Sequence, residues 1–150
     1  MCAKIEFSSE ENELMQEALV VFFVQSGLGL PNRNYYFDES ERGRFLVHEY
    51  QGYIRRILSL AGHDEAQAAA ARVIDLETRL AEHHWTMVEN RDADKVYNPF
   101  TDAELTSLLS NMKLDFYLRG IGVARQPTVI VMQPSYFEQV NSLFREVPVE

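Results

Sequence analysis

A chain of 150 residues can bury one sizeable core, and a composition that is 46% apolar and 11% aromatic belongs to a folded domain, which excludes a disordered chain. Lys and Arg number 14 against 23 Asp and Glu, and the resulting formal charge of −9 opposes association with nucleic-acid phosphates or an anionic lipid surface. Cys2 is the only cysteine, which excludes an intrachain disulfide, and no apolar run reaches the roughly 18 residues of a membrane-spanning helix.

The chain opens acidic, with Glu6, Glu10, Glu11, Glu13 and Glu17, and lacks the basic start and apolar middle of a secretory leader. Glu10 to Ala18 predicts a helical turn or two. Leu19-Val20-Val21-Phe22-Phe23-Val24 is rich in β-branched and aromatic types and stops at Ser26-Gly27, so a buried strand is expected over 19–25. Gly27 and Gly29 then accept positive φ, Pro31 fixes φ, and Leu28 and Leu30 lie between these breakers as apolar anchors of a shaped loop. Asn32, Arg33 and Asn34 can bond local backbone, and Tyr35, Tyr36 and Phe37 are expected to carry three rings into a core. The two glycines do not make a phosphate cradle: the Gly-x-Gly-x-x-Gly and Gly-x-x-x-x-Gly-Lys patterns are missing, and Pro31 removes an amide.

Asp38 with Glu41 predicts a capping box, and Phe45, Leu46, Tyr50, Tyr53, Ile54, Ile57, Leu58 and Ala61 recur at helical steps, giving a helix over about 39–61. Asp64 with Gln67 repeats the start signal, and Ala66 to Ala71 continue through Val73, Leu76, Leu80, Trp85 and Val88, giving a second helix over about 65–89. The short Gly62-His63-Asp64 link folds the two back as an antiparallel hairpin. Beyond Asn98-Pro99, Thr101-x-x-Glu104 caps a short helix, Leu114 to Leu118 makes another that stops at Gly120 and Gly122, and Thr128 to Met132 is a second strand. Pro134 opens a last helix that ends before Pro148. The strands at 19–25 and 128–132 have no other long partner, so they are expected to pair and to pack on helices such as the hairpin. The fold class is mainly α, with a long antiparallel helix hairpin, shorter helices and a small two-stranded β element.

Few residues point to chemistry. His48-Glu49 begins the His-Glu-x-x-His pattern of a zinc peptidase, but Gly52 stands where the second ligand belongs. His83 and His84 are neighbours on the expected helix and point about 100° apart, a poor arrangement for one metal. Glu77-Thr78-Arg79 and the run Glu89 to Lys95 read as wet, mixed-charge surface. Cys2 has no activating partner, and no serine sits in a nucleophile elbow. No catalytic, metal or cofactor-binding residue is expected in this chain. The 65–89 helix carries apolar groups on more than one side, including Ile74, Met87 and Val88, which predicts an exposed patch and weak self-association that strengthens with salt.

The stretch Gly27-Leu28-Gly29-Leu30-Pro31-x-Arg33-x-Tyr35-Tyr36 resembles a signature of the neprilysin-like zinc metallopeptidase family, with Asn34 where the family usually has Asp. Further points of similarity are Tyr53-Ile54-x-x-Ile57-Leu58, Ala61-Gly62, Leu76-Glu77-x-x-Leu80-Ala81, Trp85, Tyr97-Asn98, Leu114-Asp115-Phe116-Tyr117-Leu118 and Gln133-Pro134-x-Tyr136, so the resemblance covers about 20–150. It implies that residues 1–150 form a single domain or a fragment, part of a non-catalytic helical N-terminal lobe in a much longer peptidase. The signature is structural there. It also implies zinc held elsewhere in the parent, small peptides as substrates, and a catalytic lobe as the partner across a central cavity. The lobe's role would be scaffold and size filter. Animal members are braced by disulfides, so the single cysteine suits a bacterial parent, secreted, periplasmic or cytoplasmic. The alternative is a free-standing helical module that binds a partner protein, and a reading frame continuing to His-Glu-x-x-His and a later Glu-x-x-x-Asp distinguishes the two.

Overall fold

A computed structural model describes residues 2–6 and 20–147; the helical turn expected over Glu10–Ala18 lies outside them. In chain order the elements are β1 (Cys2–Glu6), β2 (Val20–Val24), α1 (Asn34–Phe37), α2 (Glu41–Leu60), α3 (Ala66–His83), a 3-10 turn (Glu89–Arg91), α4 (Ala93–Val96), β3 (Pro99–Thr101), α5 (Asp102–Leu108), α6 (Leu114–Gly120), β4 (Thr128–Val131) and α7 (Pro134–Glu146). The protein is mainly helical with one small sheet, as expected. It divides into two compact units, residues 1–26 with 85–150, and Gly27–His84.

The first unit is built on the sheet. β2 and β4 pair as the sequence predicts, in parallel, with Phe22 opposite Ile130 and Phe23 opposite Val131. The sheet is wider than two strands: β1 runs antiparallel beside β2 and β3 antiparallel beside β4, in the order β1-β2-β4-β3. Both additions are edge strands, where a proline such as Pro99 and alternating polar residues are tolerated, so neither carries an apolar signal. Val21 and Phe23 alternate inward from β2, as period-two geometry requires. Phe23 meets Phe137 of α7 edge to face with ring centroids 6.0 Å apart, and Tyr136 meets Phe137 at 5.2 Å. Within this unit the helices that pack on the sheet include α5, against β3 and β4, and α7, through Phe137 on Phe23. α5 starts with the expected capping box: Thr101 Oγ accepts from the Glu104 amide at 3.3 Å, and Glu104 Oε2 accepts from the Thr101 amide at 2.8 Å. Those bonds hold the Glu104 carboxyl below its usual range.

The second unit is the helix hairpin with α1. Ser40, not Asp38, caps α2, its Oγ accepting from the Gly43 amide at 3.0 Å, while Asp38 Oδ1 accepts from the Ser40 amide. Gly62 lies at φ +82° and ends α2 in a Schellman motif, its amide on the Ser59 carbonyl and that of His63 on the Leu58 carbonyl. α3 has no side-chain cap, so the expected box of Asp64 with Gln67 is not made. Tyr50 and Glu77, nearly equidistant from this turn, hydrogen bond to each other, so α2 and α3 run antiparallel. The buried positions of α3 are Ala66, Ala69, Ala70 and Ala81, small side chains that bring little apolar area to the hairpin. α3 stops at His83, six residues short of expectation, and His84 and Trp85 leave the helix.

Candidate functional site

The signature begins at Gly27, the first residue of the second unit, and follows Gln25 and Ser26, which belong to the first; each part is fixed within its own unit. In the first, the Gln25 amide donates to Oε1 of Gln133 at 2.9 Å, and the Tyr136 hydroxyl donates to the Ser26 carbonyl at 2.5 Å. Gln133 is 1% exposed and reaches Oδ1 of Asn90 with its Nε2 at 2.7 Å. The Gln25 side chain also grips the backbone of Trp85, accepting from its amide at 2.7 Å and donating to its carbonyl at 3.1 Å. The Trp85 indole donates to Ser135 Oγ at 2.8 Å. These contacts explain why the second helix ends early: besides Asn90, whose Nδ2 donates to its carbonyl at 3.2 Å, Trp85 is held by Gln25 and Ser135, 60 and 50 positions away in sequence, which no local periodicity encodes.

In the second unit the loop closes on a carboxylate. Glu77 of α3 accepts from the Gly29 amide at 3.2 Å, from the Tyr36 hydroxyl at 2.6 Å and from the Tyr50 hydroxyl of α2 at 3.0 Å. Tyr36 in turn accepts from the Leu30 amide at 3.1 Å, so one acid clasps together the loop, α1 and both hairpin helices. Burial, followed by the bond to Glu77, raises the Tyr36 hydroxyl well above the ordinary tyrosine value and pushes Tyr50 up to about 12. Arg33 donates to the Ala81 carbonyl at 3.1 Å, which also accepts from the His84 amide, and to the Glu82 carbonyl at 3.4 Å, placing a cation at the C-terminus of α3. Its guanidinium also lies 5.7 Å from the Phe37 ring centre.

Gly27 takes φ +96°, as expected of a glycine in this loop. Gly29 does not; it is glycine because a Cβ there would overlap the Tyr50 hydroxyl. Leu28 and Leu30, expected as apolar anchors, are half-buried, and Pro31 is exposed. The three rings do not enter a common core: Tyr35 and Tyr36 are half-buried, Phe37 is exposed, and Tyr36 acts through its hydroxyl. Glu77 corrects the reading of its stretch as wet surface. It lies four residues after Val73 and three before Leu80, on the apolar stripe of its helix, and a carboxylate in that register signals a paired role.

Gly29→Ala is expected to cost about 2 kcal/mol by driving Tyr50 off Glu77, and Tyr50→Leu in the same chain recovers part of that loss because the obstructing hydroxyl is gone; urea midpoints of the single and double variants measure both. Tyr50 is held protonated in the fold, so its contribution is complete below pH about 10, where an unfolded tyrosine titrates, and disappears as pH rises toward 12. Tyr50→Phe therefore flattens the loss of stability between pH about 10 and 12, read from alkaline unfolding curves.

A zinc site does not fit these residues. His48 and Glu49 are exposed on α2 with Gly52 one turn on, His83 ends α3, and His84 lies beyond it. Among the described residues no group of three His, Cys, Asp or Glu converges, no buried side-chain polar atom lacks a hydrogen-bond partner, and no helix is long and apolar enough to cross a membrane.

The N-terminal model of peptidase family M13 matches residues 3–150. Endothelin-converting enzyme 1 of Cavia porcellus is 30% identical over 131 residues, covering 83% of this chain and 17% of that protein. Endothelin-converting enzyme-like 1 of Mus musculus is 27% identical over 134 residues, with 86% and 17% covered. The crystal structure of the Mycobacterium tuberculosis zinc metalloprotease Zmp1 in complex with an inhibitor superposes with a TM-score of 0.82 at 30% identity, over 97% of this chain and 22% of that one. This chain therefore spans less than a quarter of the length of these relatives. It belongs to peptidase family M13, the neprilysin-like zinc metallopeptidases, in the region that the family's N-terminal model describes.

Proposed function

We propose that this chain is a non-catalytic section of the helical lobe of a neprilysin-like zinc endopeptidase, serving as scaffold and as part of a size filter that admits small peptides. The observation that carries this reading is the clasp itself. Gly29 and Tyr36 of the signature donate to Glu77, as does Tyr50, and Arg33 caps a helix, so these signature residues are engaged in shaping the loop, which supports a structural role for them. Zinc and the catalytic lobe belong to the rest of the parent polypeptide, with small peptides as its substrates. The test is cleavage by the full-length protein of a short unstructured peptide and of the same sequence displayed in a folded protein. Chelator-sensitive cleavage of the free peptide alone is the expected result; equal cleavage of both ends the size-filter role.

The exposed Phe45, Tyr53 and Leu60 on α2 favour one alternative, a free-standing helical module that binds another protein. A reading frame without His-Glu-x-x-His would select it.

A further inference from the structure

α2 carries a continuous face whose side chains are exposed in the structure. Phe45, Tyr53 and Leu60 are 60%, 60% and 81% exposed, and with the exposed Arg42, Glu49 and Arg56 they recur at steps of three and four along one side of the helix. The sequence predicts the excess apolar face on the 65–89 helix; in the structure Met87 and Val88 are exposed as expected but lie beyond the end of α3, Ile74, Leu76 and Leu80 of α3 are half-buried, and the longer open face belongs to α2.

Gly52 lies at the edge of that face, close in angle to Phe45 and about 100° round from Tyr53, inside a helix of 20 residues where glycine is unfavourable relative to alanine. Five of the chain's other six glycines have reasons inside the chain. Gly27, Gly62 and Gly122 have positive φ, and a Cβ at Gly29 or Gly43 would overlap Tyr50 or Asp38; Gly120, the last residue of α6, meets open space like Gly52 but lies at a helix end and not in its middle. A Cβ at Gly52 would meet nothing within 4 Å, so no contact among the described residues requires glycine there.

We propose that this face of α2 is a docking seam for a helix from the remainder of the full-length M13 polypeptide, whose backbone lies close over Gly52 and whose apolar side chains cover Phe45, Tyr53 and Leu60. The inference rests on the reading of this chain as a section of a longer peptidase. Zmp1 matches 97% of this chain with only 22% of its own length, so a relative of the same fold carries ample polypeptide to supply the occupant. Exposed Arg42 and Arg56 lie on this face with the exposed Glu49 between them, so side chains of both charges, acidic opposite the arginines and basic opposite Glu49, are expected along the incoming helix.

The test compares Gly52→Ala and Gly52→Leu in this chain and in the full-length protein. In this chain the alanine variant should melt about 2 °C higher and the leucine variant no lower than the parent, since the added atoms meet open space and gain helix propensity. In the full-length protein both should melt lower, leucine more than alanine, and Leu60→Ser should destabilise only the full-length form. Hydrogen exchange across residues 45–60 should be slower in the full-length protein than in this chain, and the Gly52→Leu variant should lose that difference. Variants that are neutral or stabilising in both forms overturn the inference while leaving the proposed function standing. Self-association of this chain that Gly52→Leu abolishes overturns it in favour of a second copy, and a changed KM for peptides without loss of stability overturns it in favour of substrate. A reading frame that lacks the remainder of the peptidase removes the occupant and overturns both readings.

Discussion

Glu77→Ala is expected to lower the stability of this chain by about 3 kcal/mol, because it leaves the Gly29 amide and the Tyr36 and Tyr50 hydroxyls without their shared acceptor. An unmade hydrogen bond costs about 1–3 kcal/mol, and the lower figure applies to each donor because Glu77 is only half-buried. Glu77→Gln keeps one acceptor oxygen and should lose about 1 kcal/mol. The three donors act through one carboxylate, so the effects are not additive: Glu77→Ala should cost less when Tyr36 is already phenylalanine, since one orphaned donor is then absent. Urea denaturation of the parent, the two single variants and the double variant closes this cycle. A loss below about 0.5 kcal/mol for Glu77→Ala, the range of an ordinary surface substitution, would mean that the clasp contributes nothing.

Phe137→Ala should cost about 4 kcal/mol, more than breaking the clasp at Glu77. The Phe137 ring is 0% exposed and packs edge to face with both Phe23 and Tyr136, so removal leaves a cavity beneath the central strands as well as lost burial. Against a typical domain stability of roughly 5–15 kcal/mol, that loss leaves the first unit marginal at best. Phe144 of the same helix is 52% exposed and serves as control: its truncation should stay within about 0.5 kcal/mol. A cost for Phe137→Ala no greater than that of the control would contradict the placement of the core.

Positions such as these differ in how far their roles can be read from the residues around them. The apolar runs at Val20–Val24 and Thr128–Val131, the helical periodicity of α2 and the Thr101-x-x-Glu104 box depend on neighbours a few residues away, and all are legible in the sequence. The edge strands β1 and β3 are not, because edge pairing requires no apolar signal. The end of α3 is hidden for a different reason. Its periodicity continues to Val88, but Gln25 and Ser135 hold Trp85 away from the helix through bonds across 60 and 50 positions. Within the site, the signature residues are recognisable from their pattern, but the task of each one is not. Gly29 serves close approach, Tyr36 its hydroxyl, and Arg33 a helix end, and all three depend on α2 or α3, brought alongside only by folding.

That this chain shapes a zinc peptidase without holding its zinc is tested most directly by metal analysis after exhaustive dialysis. Full-length protein should retain an equimolar amount of zinc and hydrolyse a short peptide, with chelator abolishing the activity, while this chain under the same treatment retains no stoichiometric metal and leaves the peptide intact. Equimolar zinc held by this chain alone, or peptide hydrolysis by it that a chelator blocks, would contradict that account.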